Sequence, residues 1–110
     1  MGLLFKIIIT AVAAFLAARL IPGITIDSAT TAVLVALVLA LLNTFLRPIL
    51  VALTIPITIL TLGLFLLIIN ILIVLLAARI VPGFSVDGWI AALLFSLVVS
   101  LITYILDAFL

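Results

Sequence analysis

Four stretches of this chain are long, apolar and free of internal acidic residues: Leu3 to Ile21, Ala29 to Leu46, about Ile55 to Val81, and Trp89 to Leu106. Crossing the hydrocarbon core takes roughly 20 mostly apolar residues as helix, so each stretch suits one crossing. Backbone N–H and C=O groups meet no water in lipid and must bond within their own segment, which predicts helices. Ile and Val are abundant, yet no run alternates polar and apolar residues as a barrel strand does. With 72% of residues hydrophobic and 6% charged, a water-soluble domain of this size could not cover its apolar surface. The expected fold class is an all-α integral membrane protein: one domain of four transmembrane helices.

The stretch "ARLIPGITID", Ala18 to Asp27, returns as "ARIVPGFSVD", Ala78 to Asp87. Shifting the chain by 60 matches 13 of 31 residues from Leu16–Leu46 onto Leu76–Leu106. This predicts two tandem helical hairpins, with repeat 1 at about 3–47, a linker at about 48–54 and repeat 2 at about 55–108. Lys6, the apolar stretch after it and the small pair Ala17–Ala18 also fit a secretory signal loosely. The repeat weighs against that reading, because it makes the first span the counterpart of the third.

Pro48 disfavours helix at Arg47 and has no N–H to donate, so span two is expected to end or kink there. Pro56 suits the first turn of a new helix with Thr54 as its cap. A rival reading makes Ile49–Leu62 a re-entrant segment. A linker that stays at the interface makes the repeats parallel, with both termini on one side; a crossing linker would invert them. Lys and Arg divide two and two between the sides (Lys6 and Arg47, Arg19 and Arg79), so the short charged N-terminus decides for cytoplasmic termini.

Pro22–Gly23 and Pro82–Gly83 are tight-turn pairs, the proline fixing φ and the glycine accepting positive φ. Asp27 and Asp87 precede the next apolar run, where a carboxylate can cap the helix, and Arg19 and Arg79 close the preceding one. Each arginine is within reach of its own loop's aspartate. A second reading makes the two aspartates a paired site for protons or cations. The "ITI" and "FSV" stretches are candidates to pair as two short strands across the pseudo-symmetry axis. A small and polar stripe runs along span two (Ala32, Ala36, Ala40, Asn43, Arg47), with its counterpart along span four (Ala92, Ser96, Ser100, Thr103, Asp107). Thr10 and Asn70 add polar handles at matching positions. The stripes suit either close helix packing or a water-lined seam, which Thr54, Thr58 and Thr61 would extend. In parallel repeats Arg47 and Asp107 share a depth, so an ion pair between them is expected.

The chain has no Cys, His, Glu or Gln, which removes disulfides and most metal ligands and cofactor chemistry. No nucleophile–base arrangement can be assembled, so an enzyme is not expected. No basic run points to nucleic acid. The partners expected are the lipid bilayer and further copies of the chain, and no small-molecule substrate is evident. Four elements, "IPGITIDS" (Ile21–Ser28), "VPGFSVDG" (Val81–Gly88), "LLNTFLRPIL" (Leu41–Leu50) and "LTIPITILTLGLFLLIIN" (Leu53–Asn70), resemble the mycobacterial four-span phage holins of superfamily IV over nearly the whole chain. The resemblance implies a four-helix protein of the bacterial inner (plasma) membrane and supplies no catalytic residue. The function expected first is a holin-like protein that self-associates and permeabilises the bilayer. The alternatives are an oligomeric scaffold or lipid- or partner-binding protein without a pore, and a small transporter working through Arg19/Asp27 and Arg79/Asp87.

Overall fold

The chain's computed structural model describes residues 2–109. Helix α1 runs Gly2–Leu20 and leads through a short strand, β1 (Ile24–Ile26), into α2 (Ala29–Leu41). A π-helical turn, Leu42–Leu46, continues α2 without a break into α3 (Arg47–Leu53). The short α4 (Ile55–Leu60) and then α5 (Phe65–Ile80) lead through β2 (Phe84–Val86) into α6 (Trp89–Phe109). Among the described residues three helical stretches are long and apolar enough to cross a membrane: α1, the 25 residues from Ala29 to Leu53, and α6. The fourth, α5, is equally apolar but has 16 residues, which reach ~24 Å as helix against a hydrocarbon core of about 30 Å.

Pro48 does not end span two. The Arg47 N–H donates to Leu42 O, five residues back, so the turn ahead of the proline is wider than an α-turn. A proline ring clashes with the carbonyl four residues before it and offers no N–H; the wide turn moves that carbonyl aside, and helix continues to Leu53. The break comes later than expected, inside the third apolar stretch. After α4, the Leu62 N–H reaches Ile59 O and the Gly63 N–H reaches Thr58 O, with Leu62 at φ +56° and Gly63 at φ +89°. That pair of bonds is a Schellman stop, here with leucine in the left-handed position that glycine usually fills. Thr54 stands at the N-cap position of α4, but its side chain does not cap the helix: its hydroxyl donates back to Leu50 O at 2.7 Å.

The helices join at the two Pro-Gly loops. Strands β1 and β2 pair antiparallel, with Ile24 opposite Val86, Thr25 opposite Ser85 and Ile26 opposite Phe84. Beyond the strands the Asp27 N–H donates to Gly83 O at 3.1 Å and the Asp87 N–H to Gly23 O at 2.8 Å, so each loop completes the other. Because α1 and α5 end here while α2 and α6 begin here, four helix ends gather around one small sheet. Residues 9–27 and 69–87 have the same degree of burial at every position. Helix α1 packs against α2 and α6, and α5 packs against α6 and α2; α2 and α6 therefore stand diagonally. Ala13, Ala14, Ala17, Ala77 and Ala92 are fully buried, which lets the helix backbones approach closely in lipid.

The loop aspartates differ from the expected caps. Ser28 caps α2, its Oγ accepting from the Thr31 N–H at 3.2 Å. Asp27 sits one residue too early, with its own N–H committed to the sheet, and each carboxylate lies over the other loop's glycine. Gly23 has φ +95° and Gly83 φ +87°. A Cβ on Gly83 would stand 2.9 Å from Asp27 Oδ2, the free end of a side chain that can swing away. On Gly23 it would meet Asp87 Cβ at 3.2 Å and Ala91 Cβ at 3.3 Å, which cannot. We expect Gly23→Ala and Gly83→Ala each to lower stability by about 1–3 kcal/mol through the forced positive φ. The larger loss falls at Gly23, and thermal unfolding in detergent micelles measures it.

Candidate functional site

Away from the sheet, the space between the diagonal helices α2 and α6 is open rather than packed. A cavity of about 370 Å³ is lined by Lys6 of α1, Asn43 of the π-helical turn, Arg47 of α3, Asn70 of α5, and Ser96 and Ser100 of α6. An adjoining space of about 400 Å³ shares Lys6, Asn43 and Ser100 and adds Thr10, Thr44 and Thr103. Measured along each helix from its sheet end, these residues lie ~10–27 Å away at ~1.5 Å per residue. The polar lining thus extends over most of the length of the bundle.

Apolar side chains close the cavity toward the sheet. Phe95 lines its inner wall and is fully buried. Its ring packs against Phe84 of β2 with centroids 5.3 Å apart and planes tilted by 46°. Ile21, Ile24 and Val81 are buried in the same core. From the sheet inward, the order is strand pair, Phe84, Phe95, cavity.

Among the described residues two cations line this space, Lys6 and Arg47, and no carboxylate does. Arg47 is half-buried and donates from Nη1 to Asn70 Oδ1 at 2.6 Å and from Nη2 to the same oxygen. This corrects the expected Arg47–Asp107 ion pair. Asp107 is exposed near the end of α6, and α6 is the helix diagonal to the one that carries Arg47, whereas α5 is its neighbour. A neutral amide holds the guanidinium in place and brings no opposing charge.

Of the residues singled out in the sequence, Asn43, Arg47, Asn70, Ser96 and Ser100 come together in the cavity, and Thr10 and Thr103 line the adjoining space. Arg19, Pro22, Gly23, Asp27, Arg79, Pro82, Gly83 and Asp87 gather at the sheet. Arg19 lies over the Phe15 ring, 5.0 Å from its centroid, instead of closing on Asp27. A groove of about 300 Å³ beside it is formed by Phe15, Ala18, Arg19 and the residues from Ile24 to Ser28. Thr54 and Thr61 are not among the residues that line the cavity, and they turn their hydroxyls to Leu50 O and Ile57 O. Lys6 is the cavity residue that sequence reasoning set aside as a terminal charge. Its signal was present, since it stands one turn before Thr10 on the same face of α1.

If Arg47 and Asn70 are partners, Arg47→Leu and Asn70→Leu must be non-additive. A double-mutant cycle of detergent stability is expected to give a coupling of about 1–2 kcal/mol for this pair. The same cycle for Arg47 and Asp107 should be additive within error.

The comparisons with known proteins agree with this architecture. The family model described as "Mycobacterial 4 TMS phage holin, superfamily IV" matches residues 1–105. An uncharacterised protein of Streptomyces coelicolor is 42% identical over 92 residues, covering 80% of this chain and 74% of its own. The uncharacterised membrane protein YvlD of Bacillus subtilis is 37% identical over 81 residues, covering 73% of this chain and 68% of its own. No solved structure matches. The chain is a small, holin-like bacterial membrane protein, and it belongs to the mycobacterial four-span phage holin family of superfamily IV.

Proposed function

We propose that this protein is a non-enzymatic, multi-pass protein of the plasma membrane whose working part is the polar cavity, and that a single copy binds a polar partner without forming a pore. In this reading two helical hairpins run parallel through the bilayer, the paired loops face outward, and both termini and the mouth of the cavity face the cytoplasm. The carrying observation is the closure of the cavity by Phe95 against Phe84. A conducting path needs polar or hydrated surface from end to end, and an apolar plug under a hydrogen-bonded sheet interrupts it. Binding is supported by the convergence of polar side chains from four helices on one space, in a chain that is otherwise 72% hydrophobic.

A second reading, assembly of copies into a leak-forming array, draws on the family description and on one surface feature. Between α1 and α2 an apolar groove of about 260 Å³ is floored by Ala11, Ala29 and Ala32, small residues of the kind through which helices associate in lipid. Self-association through this groove is compatible with the closed cavity; permeabilisation requires a path between copies.

Proteoliposomes separate the two. With protein density raised stepwise, vesicles loaded with a self-quenching dye are expected to stay tight at every density. Release that climbs steeply with density would replace the binding reading with the pore-forming assembly.

A further inference from the structure

We propose that the cavity is a site for a phosphate-type oxyanion, presented by a lipid headgroup or as the free ion, with Lys6 and Arg47 as its two cationic contacts. This inference rests on the reading of the cavity as the working part of the protein.

The first reason is charge. Lys6 and Arg47 enter one cavity from different helices, and the described residues that line it include no acid. Two cations that line one space without a carboxylate repel one another, which an anion between them relieves. Asp107, the acid that the sequence repeat sets opposite Arg47, is exposed and lies outside the lining.

The second reason is donor geometry. Arginine carries five N–H donors in a planar fork, and Asn70 Oδ1 accepts from both terminal nitrogens through one oxygen. That contact holds the guanidinium in place and leaves donors unspent. Asn43 and Ser100 line the same space. A positioned guanidinium, an ammonium, an amide and a hydroxyl match an oxyanion with several equivalent acceptor oxygens, and Arg pairs with phosphate in a bidentate manner.

The third reason is depth. Lys6 lies about one turn inside the start of α1, ~21 Å along that helix from its sheet end. With the sheet end at one face of a hydrocarbon core about 30 Å thick, the Lys6 backbone lies within ~9 Å of the other face, and its long side chain can reach outward toward the level of lipid phosphates. Lys6 is exposed and Arg47 half-buried, so an oxyanion can approach from the boundary and meet lysine first. A cavity of about 370 Å³ has room for a phosphate with waters or with part of a headgroup.

The test uses the full chain in a micelle of uncharged maltoside detergent, with the thermal midpoint read against added ligand. The ligands are short-chain phosphatidic acid, inorganic phosphate, and the matching diacylglycerol that lacks the phosphate. Phosphatidic acid is expected to raise the midpoint saturably, and diacylglycerol is not. If inorganic phosphate is inert, the source is the lipid headgroup; if it also raises the midpoint and competes, the site takes the free ion. Lys6→Gln removes an exposed charge without touching the core and should weaken the effect about tenfold, as should Arg47→Gln. Arg19→Gln, the same kind of change at the sheet end, should leave it unaltered. The proposal is overturned if neither phosphate compound shifts the midpoint, if diacylglycerol shifts it equally, or if Lys6→Gln and Arg47→Gln bind as the unaltered chain does. Tight vesicles with no oxyanion effect would remove this inference and leave the binding reading standing, whereas leaking vesicles would remove that reading by themselves.

Discussion

The hydrogen bonds between the two Pro-Gly loops hold the arrangement of the helices. Each loop alone would leave a row of unpaired N–H and C=O groups at the edge of an apolar bundle, where they cost free energy. Pairing Ile24–Ile26 with Phe84–Val86, and extending the ladder through Asp27 to Gly83 and Asp87 to Gly23, satisfies both rows at once. Four helix ends are thereby gathered at one sheet. The positive φ of Gly23 and Gly83 and the close seat of each aspartate over the opposite glycine follow from that pairing.

Likeness between residues sixty positions apart is strongest at the sheet and weakest where the cavity opens. Near the sheet, counterparts are buried alike and make the same backbone bonds: Ile21 N–H to Ala17 O matches Val81 N–H to Ala77 O. In the cavity the counterparts differ, with Lys6 set against Leu66, Thr10 against Asn70, Asn43 against Thr103 and Arg47 against Asp107. The shared residues supply a frame, and the residues that differ give the cavity charge of one sign. In a medium of low dielectric constant that charge has more effect on its surroundings than it would in water.

Much of this was legible in the sequence because it depends on local chemistry. Long apolar runs specify helices in lipid, and the Pro-Gly pairs with a following aspartate mark the two loops, including the strands that pair there. What was not legible depends on relations between segments. Pro48 is locally a helix breaker, and only the π-helical turn ahead of it, which has no composition signal, lets the helix pass. The stop at Leu62 hides because the left-handed residue is leucine, with the glycine one place later. The partner of Arg47 was missed because charge pairing suggests Asp107, while the packing order of the helices presents Asn70. Ser28 displaced Asp27 as the cap because the sheet had already claimed the backbone of Asp27.

One crosslink reports on the joined loops without reference to ligand or leak. The chain has no cysteine, so Thr25→Cys and Ser85→Cys can be introduced together as its only thiols. The two positions are exposed and directly opposed in the strand pair. Opposed antiparallel residues of this kind stand about 4.5–5.5 Å apart at Cα, within the span a disulfide bridges. Mild oxidation in native membranes should join them within single chains, nearly completely and without dilution dependence. Intact chains that stay unjoined, or that join only to other copies, would contradict the paired-loop architecture on which the rest of the account stands.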